Sequence, residues 1–168
     1  MEKLKMILLF FLLAGFSIGC EKDDICAEDV TTPRLVITFL NITDRTSLKP
    51  VNNLEVRGVG MADSLAVFNG ASTISIPLKT GSDFTEYSFE LFSNNPDFLN
   101  ADLIRFNYIR NEIFVSRACG YKTLFTFDEN APFLLTDSAP PSTFWIKEIT
   151  IEQSDIVNEN ETHVNIYY

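Results

Sequence analysis

From Pro33 to Tyr168 the chain repeats one pattern, short runs of alternating apolar and polar residues cut by turn formers. Alternation with period two puts successive side chains on opposite faces of a strand. Leu54 and Val56 alternate with Glu55 and Arg57, Tyr87, Phe89 and Leu91 with Ser88 and Glu90, and Ile104, Phe106 and Tyr108 with Arg105 and Asn107. Each set predicts a strand with one face in a core and one in water. Leu35, Ile37 and Phe39 interleave with Val36 and Thr38, and Phe144 to Ile151 is a further strand candidate that carries the only Trp. Those two predict strands buried on both sides. Ile74, Ile76 and Leu78 share a face, and Pro77, which lacks an N–H, places that strand at a sheet edge.

Turn chemistry divides the strands. Asn69-Gly70 predicts a tight turn. Arg110-Asn111 predicts a hairpin turn into Ile113 and Val115, and Gly120 separates that strand from Tyr121, Thr123, Phe125 and Phe127. Glu159-Asn160 predicts a hairpin into Val164, Ile166 and Tyr168. No stretch shows sustained helical spacing after a cap. The 15 phenylalanines suit strands more than helices. The expectation is an all-β domain, an antiparallel β-sandwich of about nine or ten short strands, following a signal peptide.

The N-terminus follows a different pattern. Lys3 and Lys5 precede the apolar run Met6 to Ala14. Even extended to Ile18, that run falls short of the roughly 20 residues a spanning helix needs. A positive start, a short apolar core and a small residue before the cut describe a secretory signal peptide over residues 1–19. Gly19-Cys20 closes it in a way that resembles the lipobox of bacterial lipoproteins, although Ser17 and Ile18 are not that motif's commonest residues. The resemblance implies that Cys20 is lipidated and becomes the new N-terminus. The alternative is an ordinary signal peptide with an incidental cysteine. Residues 20–32 then form an acidic tether, and residues 33–168 the sandwich domain. Glu21-Lys22-Asp23-Asp24 resembles the surface-export signal of Bacteroidota lipoproteins. It implies a lipid-anchored, surface-exposed position on the outer membrane, with the periplasmic leaflet as the alternative. Two or more acyl chains, at about 0.8 kcal/mol per buried methylene, hold a protein stably on a bilayer.

Charge narrows the partners. Removal of residues 1–19 takes Lys3, Lys5 and Glu2 from 13 basic and 23 acidic residues, leaving 11 and 22, a net charge of −11. Such a chain is unsuited to nucleic acid, which is bound through cations on phosphate, and to anionic head groups. Once Cys20 is lipidated, Cys26 and Cys119 remain. An even count in an exported chain predicts a disulfide between them, the alternative being two buried free thiols. No metal site or cofactor is expected, because two cysteines and the lone His163 do not complete a zinc set.

Catalytic patterns are weak. Alternation puts His163 on a solvent-facing side of its strand, beside Asn165 and Tyr167, rather than in a base's position. No G-x-S-x-G elbow supplies a nucleophile. Asp97, Asp102, Asp128 and Glu129 lie in or near predicted turns, and spacing alone does not pair them for glycosidase chemistry. Asp155, Asn158 and Glu159 lack the regular ladder of a calcium loop. The strongest binding candidate is the long connection from Asp128 to Thr143, with Phe133, Leu134 and Leu135 between prolines. These three either plug one end of the sandwich or form an interaction patch.

Cys26, Thr32-Pro33-Arg34-Leu35-Val36-Ile37, Ile76-Pro77-Leu78, Ser116-Arg117-Ala118-Cys119-Gly120-Tyr121-Lys122, Trp145-Ile146 and His163-Val164 together resemble a family of uncharacterised Bacteroidota lipoproteins, a domain of unknown function. The likeness covers nearly all of the mature chain and implies no catalytic residues. The expected function is a non-enzymatic binding or structural component of the cell envelope. It would be anchored to the membrane by lipid and have an envelope protein or a glycan as partner. The alternative is a carbohydrate-binding module, with Tyr167 and Tyr121 as its platforms.

Overall fold

In the computed structural model the described residues are Cys26, 31–138 and 143–168. The expected signal peptide over residues 1–19, Cys20 and Lys22-Asp23-Asp24 lie outside them. Among the described residues there are eleven strands: β1 (Leu35–Leu40), β2 (Leu54–Gly58), β3 (Ala66–Phe68), β4 (Thr73–Ile76), β5 (Phe84–Leu91), β6 (Asn100–Ser116), β7 (Gly120–Phe127), β8 (Phe133–Asp137), β9 (Glu148–Ile151), β10 (Asp155–Ile156) and β11 (Val164–Tyr167). No helix among them is long and apolar enough to cross a membrane.

The strands form two sheets. Four lie in the order β4-β1-β11-β9, and seven in the order β10-β7-β6-β5-β2-β3 with β8 beside β6. The all-β sandwich expected from alternation is therefore present, and its strands pair antiparallel with one exception. β1 and β11 run parallel, with Ile37 opposite Val164. Between the sheets, Leu35, Ile37, Phe39 and Ile166 of the smaller meet Phe89, Ile104, Phe106, Phe125 and Phe127 of the larger in one core. β1 is buried on both faces, as its continuous apolar run predicts. Its outward Thr38 hydroxyl bonds the hydroxyls of Thr73, at 3.3 Å, and Thr162, at 2.8 Å. Farther along that outer face Arg45 lies 4.2 Å over the Tyr167 ring. It also grips the Glu148 carboxylate with two donors at 2.6 and 2.7 Å.

Four expectations need correction. Arg110-Asn111 is no turn, because β6 runs on for 17 residues through it. The Arg110 guanidinium holds Asp83 at 2.8 Å while the ladder to β7 continues, and the chain reverses only beyond Ser116, with Gly120 at φ 69°. Asn69-Gly70 joins β3 of one sheet to β4 of the other rather than closing a hairpin. Of Phe144 to Ile151 only Glu148–Ile151 is strand. Before it, the Trp145 indole N–H turns inward to the Phe89 carbonyl at 3.0 Å. His163 is fully buried. Its Nδ1 accepts the Val36 N–H at 3.0 Å, while Glu159, Glu161 and the Asn158 backbone lie beside the ring.

Candidate functional site

The β6–β7 hairpin outgrows the core it helps to build. Tyr108 and Phe127 face each other as buried residues. Farther out on the same face Phe114 stands opposite Tyr121, and there is no core beneath them. Phe114 is 56 % exposed and Tyr121 69 %, and their rings meet edge-to-face with centroids 5.3 Å apart. Ile109 and Ile113, on the other face, are also exposed. The turn that closes the hairpin carries Arg117 and Cys119, and the Cys119 N–H is held by the Ser116 hydroxyl at 3.1 Å. Cys119 is joined to Cys26 by a disulfide, the pairing expected of the two cysteines that follow Cys20. The Thr123 N–H also donates to the Thr32 hydroxyl at 3.0 Å. The N-terminal segment is thus fastened to this end of the fold at two points.

At mid-hairpin a polar cleft of about 500 Å³ is lined by Asp83, Asn107, Tyr108, Ile109, Arg110, Glu112 and Asp128. Its groups are held by their neighbours. Arg110 bonds Asp83 and the Thr80 carbonyl, and the Asn107 amide donates to the Ala131 carbonyl at 2.8 Å. The Asp128 carboxylate accepts the N–H groups of Ala131 and Asn130, both at 2.9 Å. Those bonds to the charged form lower its pKa. Tyr108 reaches the Lys79 carbonyl at 2.9 Å and the Thr85 hydroxyl at 2.6 Å, and burial raises its pKa. The arrangement presents fixed carboxylates and a guanidinium beside the apolar Ile109. A neutral polyol could be bound there through its hydroxyls.

The connection from Asp128 to Thr143 contains a strand, β8, which completes the edge of β6 from Asp102 to Phe106. Its alternation splits the three candidate residues. Phe133 and Leu135 pack against the core, whereas Leu134 points outward and is 54 % exposed. At the far end of this ladder Asp102 faces Asp137. Asp102 sits inside a strand rather than in a turn and is fully buried. One of its oxygens accepts the Ile146 N–H at 2.9 Å, and the other has no hydrogen-bond partner among the described residues. The pair does not line the polar cleft, and the bond to Ile146 gives Asp102 the task of holding the segment before β9.

Other chemical candidates are dispersed. Tyr167 is buried under Arg45 and offers no platform, whereas Tyr121 is open. Asp155 accepts the Thr126 hydroxyl at 2.8 Å, Asn158 accepts the Asn160 N–H at 2.8 Å, and Glu159 is paired with Arg34 at 2.7 Å. Among the described residues no group of three or more His, Cys, Asp or Glu side chains is arranged to hold a metal. The polar cleft escaped sequence reasoning because its residues come from three separate segments. The open ring pair had a visible signal, since Phe114 and Tyr121 flank the turn containing Cys119.

Among known families, one whose description is a family of unknown function, DUF6452, matches residues 53–168, most of the chain, so the chain belongs to it. No curated protein and no solved structure matches significantly.

Proposed function

We propose that this member of the DUF6452 family is an exported lipoprotein of the Bacteroidota type. Acyl chains on Cys20 hold it on the outer membrane, and its sandwich is a non-enzymatic binding or structural component of the cell envelope. The observation that carries the reading is the Cys26–Cys119 disulfide. Structural disulfides persist in oxidising compartments, and this one fastens the segment following the lipobox-like cysteine to the body of the fold. Lipid anchoring is tested by Cys20→Ser, which should release the protein from the membrane fraction. Sedimentation with membranes after a salt wash would refute the anchor. Alanines at Lys22, Asp23 and Asp24 should keep the anchor but hide the domain from external protease, and unchanged cleavage would remove the surface address.

The polar cleft favours a second reading, a carbohydrate-binding module. Asp83, Asn107, Arg110 and Asp128 are the groups that would meet sugar hydroxyls. A glycan array probed with the wild type and with Asp128→Ala separates the two. Binding lost in the variant supports the module, and no glycan bound at all leaves the envelope-component reading alone.

A further inference from the structure

We propose that the tip of the β6–β7 hairpin docks into the head-group layer of the same leaflet that holds the anchor. Its lipid-facing residues would be Ile113, Phe114, Arg117, Tyr121 and Lys122. The inference rests on lipidation of Cys20 and adds an orientation and a contact surface to it.

The first argument is the length of the leash. Without the disulfide the first strand residue, Leu35, lies 15 residues beyond Cys20. At roughly 3.3–3.6 Å per extended residue it could stand about 50 Å from the lipid. The disulfide moves the attachment point to Cys26, six residues from Cys20, and ties it to Cys119 in the hairpin turn. With the 5.0 Å between the two Cα atoms of the disulfide added, the turn then lies at most about 27 Å from the anchor by the same measure. Of the whole fold, this end is the one held against the leaflet.

The second argument is what that end presents. Phe114 and Tyr121 are exposed, in edge-to-face contact with one another and outside the core. From Ile113 to Lys122 the sequence holds two cations, Arg117 and Lys122, and no acid, in a mature chain of net charge −11. A tyrosine ring suits the membrane–water interface. Arg and Lys stems lie along apolar surface while their heads reach phosphate.

The test uses the full lipidated protein in phosphatidylethanolamine–phosphatidylcholine vesicles with brominated acyl chains, which quench nearby indoles. Wild type supplies the baseline, since its only Trp, Trp145, is buried in the core. Tyr121→Trp adds a reporter at the tip, and Phe114→Trp is a second reporter should the first misfold. Co-flotation with the vesicles reads the anchor separately. Docking predicts flotation, a blue-shifted tip indole that loses most of its emission, and an unquenched Trp145. It also predicts slower tryptic cleavage after Arg117 in vesicles than in detergent. Flotation with an unquenched tip would overturn the docking and leave the anchor standing, as would an unquenched tip with tip-to-tip crosslinks between copies. Failure to float would overturn both.

Discussion

Asp102→Asn isolates the energetic effect of one buried carboxyl group. Burial raises the pKa of Asp102 from 3.8 to about 6; the Ile146 N–H opposes the rise and the facing Asp137 adds to it. The folded chain therefore holds this proton more tightly than the unfolded chain does. For this group, stability is greatest below about pH 4, falls as the pH rises to about 6, and is level above that. Two units at 1.36 kcal/mol each set an upper bound of about 3 kcal/mol. Asparagine keeps an oxygen for the Ile146 N–H and carries no charge. The variant should gain up to about 3 kcal/mol near neutral pH, or about 6–12 °C in Tm, and the gain should vanish toward about pH 4. His163 acts in the opposite sense. Burial lowers its pKa from 6.5, so the unfolded chain protonates first and stability is lost as the pH falls below that value. Subtracting the wild-type melt from the variant melt at each pH removes the His163 contribution. Urea melts of both proteins from about pH 4 to about pH 8 give the difference curve. A variant less stable than wild type at neutral pH, or a difference that ignores pH, would refute the reasoning.

Cys119→Ser opens a loop closed across a separation of 93 residues. The chain-entropy model sets the loss at about 4–5 kcal/mol, and an unchanged denaturation midpoint under non-reducing conditions would contradict it. Phe133→Ala and Leu135→Ala, at half-buried positions on the core, should each cost about 1–3 kcal/mol. Leu134→Ala should stay within about 0.5 kcal/mol, and three equal melting temperatures would refute the split. His163→Ala removes the acceptor for the Val36 N–H and should cost about 2–4 kcal/mol, with a thermal melt within error of wild type counting against it.

Much of the fold was legible because alternation reports which face is buried. Leu54 and Val56, or Ile104, Phe106 and Tyr108, sit where period two puts them. What alternation does not report is the partner across the ladder. Arg110-Asn111 resembles a turn until the Asp83 carboxylate, 27 residues away, is seen to hold Arg110 within a strand. His163 alternates with Val164 and Ile166 but is buried rather than solvent-facing, and local spacing gives no sign that Glu159 and Glu161 come to lie beside it. In Phe133, Leu134 and Leu135 three consecutive apolar residues hid the alternation, and only the need of β6 for an edge partner reveals a strand. The disulfide could be inferred once Cys20 was assigned to the lipobox-like motif, because the two cysteines left allow one pairing. Gly120 marked the turn beside Cys119, but that this turn ends a long hairpin could not be inferred, since it follows from the uninterrupted length of β6.

The parallel pairing of β1 with β11 fixes an order of events. Ile37 finds its neighbour only at Val164, 127 positions later. Until β11 arrives, β1 has β4 on one side and nothing on the other, and β9 has no place in the smaller sheet. The pairings of β5 with β6 and β6 with β7 need far shorter loops, so the larger sheet can form from a partial chain while the smaller one waits. A polypeptide threaded across a membrane from its N-terminus would keep an open sandwich, and so remain unable to lock, until its final strand emerged. Any product cut short of Val164 would carry Leu35, Ile37 and Phe39 on an unpaired strand edge, marking it for aggregation or proteolysis.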